Sequence, residues 1–159
     1  MMVFESRSTA ETEALAARIA ARACPGQVYC LQGELGVGKT AFARGFARGL
    51  GISGEITSPT FTLVHEYRLF GPGIRRFAHF DVYRLENEEE LWDIGWDDYL
   101  RPGCVCLVEW ADSLREAMPP EACWILIEKD LTKGTDYRRI TLSQEPEGTD
   151  LSGFSEETN

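Results

Sequence analysis

The chain has 159 residues, 43% of them hydrophobic and 26% charged, and a formal net charge of −10. That length suits one domain with room for a real core. No run of about 18 apolar residues is present to span a membrane, and the acidic balance argues against a direct grip on nucleic acid. Met1-Met2-Val3-Phe4-Glu5-Ser6-Arg7 lacks the basic start and apolar stretch of a signal peptide, so a cytoplasmic protein is expected.

In chain order, Ser8-Thr9-Ala10-Glu11 is a capping box. A helix is expected from there to about Cys24, with Leu15, Ala16, Ile19, Ala20 and Ala23 on its buried face and Pro25-Gly26 as its stop. Val28-Tyr29-Cys30-Leu31 reads as a buried strand. Gly33-Glu34-Leu35-Gly36-Val37-Gly38-Lys39-Thr40 follows, which is the P-loop pattern in full. Phe42, Phe46 and Leu50 then recur at helical spacing, and Gly51 closes that helix. Strand, glycine loop and helix together are the context that gives the motif its meaning. Glycines let successive N–H groups turn inward, and the helix start adds its positive end. Lys39 supplies a mobile cation for the β- and γ-phosphates, and the Thr40 hydroxyl suits Mg²⁺. Nucleotide binding is the expectation.

From Thr60 to Tyr67, β-branched and aromatic residues alternate in period two. Gly71-Pro72-Gly73 marks a turn, and a second alternating run extends from Arg75 to Val82. A β-hairpin is predicted, which makes the sheet mixed. Asp81 ends that run; a carboxylate there either meets a metal or its water, or caps a turn. Glu86 to Leu100 reads as one or two short helices, with Leu91, Ile94 or Gly95, and Asp98 on one face and Trp92, Trp96 and Tyr99 on another. It is either a core face with a solvated acidic side or a docking surface for a partner. Cys104-Val105-Cys106-Leu107-Val108 is a buried strand that ends in Glu109, the best candidate for the carboxylate that P-loop enzymes place beside magnesium.

A short helix from Ser113 to Met118 and two strands, Cys123 to Glu128 and Tyr137 to Leu142, complete the domain, 1–144. Residues 145–159 carry five acids and no Lys or Arg, and disorder is expected there. The five cysteines include no Cys-x-x-Cys pair and read as small core residues. The fold class that follows is α/β: a three-layer P-loop NTPase-like fold with a mixed, mainly parallel sheet that includes a hairpin.

The P-loop string, then Ser58-Pro59-Thr60-Phe61-Thr62-Leu63-Val64, then His79-Phe80-Asp81-Val82-Tyr83-Arg84-Leu85, then Val108-Glu109-Trp110, resemble the TsaE (YjeE) family in order and spacing. The resemblance implies a small ATPase needed for threonylcarbamoyladenosine modification of tRNA at adenosine 37. It implies that Gly33 and Gly36 to Ala41 (Val37, Gly38, Lys39 and Thr40 between them) line the phosphates of ATP, and that Thr40 and Glu109 serve Mg²⁺. It also implies that Thr60 lies in a switch-like segment sensing the γ-phosphate, that Asp81 sits by the metal or the attacking water, and that Trp110 lies near the nucleotide. Thr9 and the loop from Lys133 to Asp136 would flank the base. The partners implied are TsaB and TsaD as a heterodimer, with TsaD performing the transfer and ATP hydrolysis resetting the complex. His65 stands where the family more often has Asn or Glu.

Two rivals share the P-loop. A small-molecule kinase needs an acceptor pocket and an arginine-bearing lid, and no segment is long enough for one. A GTPase needs Asn-Lys-x-Asp, which Glu128-Lys129-Asp130 does not match. A third reading is a non-catalytic adaptor in which bound ATP merely orders a docking surface. No arginine finger is obvious within the chain; Arg68, Arg75, Arg76 and Arg84 are candidates.

Overall fold

The computed structural model describes residues 1–57, 59 and 62–143. Thr60 and residues 145–159 lie outside them. Seven strands form one sheet: β1 (Met2–Ser6), β2 (Val28–Gln32), β3 (Val64–Arg68), β4 (Arg76–Asp81), β5 (Cys104–Glu109), β6 (Cys123–Lys129) and β7 (Arg138–Ser143). The order across the sheet is β1-β7-β6-β2-β5-β4-β3. The middle four, β6-β2-β5-β4, run parallel. The hairpin partner β3 and the pair β7 and β1 add antiparallel edges. The sheet is therefore mixed and mainly parallel, and the hairpin predicted from period-two alternation is β3–β4, although β3 begins at Val64, after Leu63 in a left-handed conformation (φ 66°), and not at Thr60.

One face of the sheet carries α1 (Thr9–Ala21) and α2 (Lys39–Gly49). Leu15, Ile19, Phe42 and Phe46 close over Tyr29, Leu31, Phe77, Leu107 and Ile125 there. The other face is covered by α3 (Glu88–Asp93), α4 (Trp96–Tyr99) and a 3-10 segment at Ala111–Ala117, whose Leu91, Trp96 and Leu114 pack on Cys30, Phe80, Cys106 and Val108. Each large side chain buried this way contributes about 2 kcal/mol. Cys30, Cys104, Cys106 and Cys123 are buried in these cores as free thiols.

The cap at Ser8 forms as its sequence indicates. Ser8 Oγ accepts the Glu11 N–H at 3.1 Å, while the Glu11 carboxylate takes the Arg7 N–H at 2.6 Å, one residue earlier than the capping-box pattern specifies. The helix stops at Ala21, short of the predicted Cys24, with Arg22 as its C-cap. Helices α1 and α2 meet unusually closely. A Cβ added at Gly45 would lie 2.1 Å from the Glu13 carbonyl oxygen, and one at Gly49 2.2 Å from that of Ala17. Arg44 and Arg48 both reach Glu13, at 2.8 Å each, and brace the same contact.

Two expectations are corrected. First, β1 was not foreseen; its register with β7 pairs Met2 with Leu142 and Ser6 with Arg138. Its residues alternate only weakly, and pairing with a distant strand defines it. Second, Trp92 and Trp96 do not share a face. Gly95 takes a left-handed conformation (φ 86°) between two short helices, a turn that glycine makes without a Cβ clash. Trp96 turns inward, where its Nε1–H donates to the Ala117 carbonyl at 3.0 Å, and Trp92 stays 44% exposed.

Candidate functional site

The site forms where the C-terminal ends of β2, β5 and β4 meet, the crevice that open α/β sheets use for ligands. The loop after β2 holds residues 33–38. Gly38 (φ 113°) is the N-cap of α2 and offers no side chain to the helix start. The Phe42 N–H is the first to find an intrahelical acceptor, Gly38 O at 3.0 Å. The N–H groups of Lys39, Thr40 and Ala41 therefore remain as helix-start donors, at the positive end of the macrodipole. The arrangement can hold phosphate oxygens.

Lys39 is buried, with 6% of its surface exposed. Its amine donates to Gly33 O at 2.6 Å and lies 3.3 Å above the Trp110 ring. Burial pulls its pKa below the ordinary lysine value, and the negative charges of Glu109, Asp81 and Asp112 pull the other way. Trp110 itself follows β5 in a left-handed conformation (φ 64°), rare for a residue with a side chain. It packs on Tyr83, ring centroids 4.8 Å apart, and so closes the lysine against the loop.

Asp81 and Glu109 lie in register on adjacent strand ends. Both are buried, at 6% and 2% exposure. Asp81 Oδ1 accepts the Tyr83 N–H at 3.0 Å. Burial raises the Asp81 pKa above the usual carboxylate value; its bond from Tyr83 lowers it again, and the neighbouring Glu109 charge adds to the rise. Glu109 Oε2 lies 2.7 Å from His79 Nε2. A cleft of about 530 Å³ brings these residues together with Leu35, Gly36, Gly38, Thr40, Tyr83, Arg84 and Trp110. A second cleft of about 440 Å³ adjoins it at Trp110 and includes Gly33 and Val37.

The structure thus brings Lys39, Thr40, Asp81, Glu109 and Trp110 to one cleft. Thr9 and the loop from Lys133 to Asp136 line neither cleft. Of the four candidate arginines, Arg84 lines the cleft. Arg76 is engaged at the far end of β4 with Asp98 O and Glu66. Five steps of about 3.3 Å along the strand separate it from Asp81, and Arg75 and Arg68 lie at that same end. Hydroxyl and carboxylate oxygens are hard donors that suit Mg²⁺. Among the described residues no group of three or more His, Cys, Asp or Glu forms a metal cage.

Two residues of the site escaped the sequence. His79 is one; its position two residues before Asp81 on one strand is the signal that period two offered. Arg138 of β7 is the other. Its Nε donates to the Val37 carbonyl at 2.6 Å, while Nη1 holds the Thr135 and Tyr137 carbonyls at 2.9 and 2.8 Å. The last of the described strands in chain order therefore grips the glycine loop. Among the described residues no helix is long and apolar enough to cross a membrane.

Comparison with known proteins gives a consistent result. Residues 6–140 match the family model described as "Threonylcarbamoyl adenosine biosynthesis protein TsaE". The tRNA threonylcarbamoyladenosine biosynthesis protein TsaE of Bacillus subtilis is 47% identical over 133 residues, 84% of this chain and 79% of that protein. Its namesake in Haemophilus influenzae is 39% identical over 107 residues, 67% of this chain and 61% of that protein. The crystal structure of Bacillus subtilis YdiB superposes with a TM-score of 0.72 at 38% identity, covering 91% of this chain and 86% of that one.

Proposed function

The chain belongs to the TsaE family, whose members work in tRNA threonylcarbamoyladenosine biosynthesis, and from that premise we propose that it is a Mg²⁺-dependent ATPase acting on a TsaB–TsaD complex. One observation carries the reading. Lys39 and Thr40, at the start of α2, share a cleft with two buried carboxylates, Asp81 and Glu109, presented side by side by β4 and β5.

The helix-start N–H groups of residues 39–41 receive the phosphates. Lys39 exchanges the Gly33 carbonyl for β- and γ-phosphate oxygens, a change its flexible stem allows. Thr40 and Glu109 would hold Mg²⁺, which would supply positive charge to offset that of the phosphates. Glu109 or Asp81 places the attacking water in line with the γ-phosphate. Burial favours both tasks, because a carboxylate removed from bulk water interacts more strongly with what it faces. Lys39 and the loop N–H groups stabilise the charge that develops in the transition state. Arg84 is the arginine of this chain placed at the cleft, and a further cation comes from the partner; the low intrinsic turnover expected of the isolated chain follows from that division.

The test is ATP turnover with Mg²⁺, alone and with TsaB–TsaD, for the wild type and Glu109→Gln. Partner stimulation in the wild type, with a loss of about 10²–10³ in the variant and retained ATP binding, is the expected result. ATP binding without turnover in any mixture would refute it and leave a nucleotide-gated adaptor.

A further inference from the structure

His79 lies two residues before Asp81 on β4, so the two side chains share one face of the sheet. That face is the one covered by α1 and α2. The imidazole is fully buried. It stacks on Phe77, with centroids 6.2 Å apart and planes 17° apart, and Phe77 packs in turn on Phe46 of α2. A ring held this way has little freedom to turn. Its Nε2 meets Glu109 Oε2 at 2.7 Å. A carboxylate only accepts, so Nε2 carries the proton and donates it. Nδ1 is buried and has no hydrogen-bond partner among the described residues.

That pattern is costly for a residue that merely fills space. Leu or Phe would occupy the site without stranding a ring nitrogen away from water. What histidine adds is the N–H on Nε2, and Glu109 receives it.

We infer that His79 is a positioning residue, whose Nε2–H sets the orientation of the Glu109 carboxylate toward Thr40, Lys39 and Asp81. The inference rests on the reading of Glu109 as the group that serves Mg²⁺ or the attacking water. A glutamate's last torsion is broad and two-fold. Pinning Oε2 selects one plane for the carboxylate, and the strand register fixes where that plane lies relative to Asp81. The aromatic stack Phe46–Phe77–His79 ties that orientation to α2, the helix that carries Lys39 and Thr40.

Two substitutions separate the hydrogen bond from the packing. The amide nitrogen of Gln reaches the place of Nε2; that of Asn reaches the place of Nδ1. In the full chain, three quantities are measured for wild type, His79→Asn and His79→Gln. They are ATP turnover with partners, affinity for a fluorescent ADP analogue with Mg²⁺ or with EDTA, and melting temperature. His79→Asn is expected to lower kcat about 10–100-fold while the Mg²⁺-free affinity stays within about twofold. It also removes the affinity that Mg²⁺ adds. His79→Gln recovers most of both at the same melting temperature. Equal kcat in the two variants, or an Asn variant with wild-type kcat and a wild-type Mg²⁺ effect, overturns the inference. A wild type that turns over no ATP refutes the hydrolysis reading instead, and the Mg²⁺ effect then decides the role of His79 by itself. A wild type showing neither refutes both.

Discussion

Gly45→Ala should reverse the usual sign of a helix substitution. In an exposed helix interior, replacing Gly by Ala stabilises by about 1 kcal/mol. Here the new Cβ would stand 2.1 Å from the Glu13 carbonyl oxygen, 2.6 Å from Glu13 Cα and 2.7 Å from its carbonyl carbon. All three are backbone atoms, so no side chain can swing aside. Ordinary van der Waals contact begins near 3.4 Å, and α2 must therefore move about 1.3 Å away from α1. A clash this deep with backbone atoms falls in the upper part of the overpacking range, about 2–3 kcal/mol, more than the propensity gain returns. A net loss of about 1–2 kcal/mol lowers the melting temperature by about 2–8 °C in a chain of this size. Thermal unfolding followed by circular dichroism reads it directly. Gly49→Ala should behave alike, since its Cβ would lie 2.2 Å from Ala17 O. The double variant should lose less than the sum, because one separation of the helices relieves both clashes. An unchanged or higher melting temperature for Gly45→Ala would refute the close-contact argument.

Arg138→Ala removes a charged donor from the Val37 carbonyl, a loss of about 1–2 kcal/mol, and weakens nucleotide binding because the loop peptide loses its anchor; wild-type affinity in a fluorescence titration would contradict the clasp. Lys39→Met tests the buried amine by pH. Burial holds the Lys39 pKa in the folded protein below the unfolded value of 10.5, so the unfolded chain binds this proton more tightly. Stability of the wild type relative to Lys39→Met should therefore rise as pH climbs through the window below 10.5. Melting temperatures of the two proteins across alkaline pH give the difference, and a flat or falling one would contradict the shift. The same variant should lose ATP binding at neutral pH.

The central strands and the glycine loop were legible because their signals are local. Val28 to Leu31 and Cys104 to Val108 are short apolar runs, and the P-loop fixes its own context. Asp81 and Glu109 were found as strand-terminal acids. What sequence spacing does not encode is register between distant strands. The pairing of His79 with Glu109 spans 30 positions, and the grip of Arg138 on Val37 spans 101. Neither contact has a period to detect. The misplacement of Trp96 has a different origin. A single helical wheel through Glu86 to Leu100 assumes continuous geometry, and the left-handed turn at Gly95 breaks the wheel in the middle. β1 was missed because Val3 and Glu5 face solvent and its remaining residues are few.

The clasp between Arg138 and the glycine loop also sets an order of events during synthesis. The loop emerges from the ribosome 101 residues before the arginine that holds its carbonyl. β1 waits longer still, since its neighbour β7 is the last of the described strands to be made. Contacts of such sequence separation form late and slowly. A nascent or prematurely ended chain therefore displays a complete phosphate-binding motif on an incomplete sheet, with the β6 edge open to pairing by another chain. The carbonyl of Val37 gains its anchor only with the closing strand, which makes that strand a checkpoint on the shape of the glycine loop.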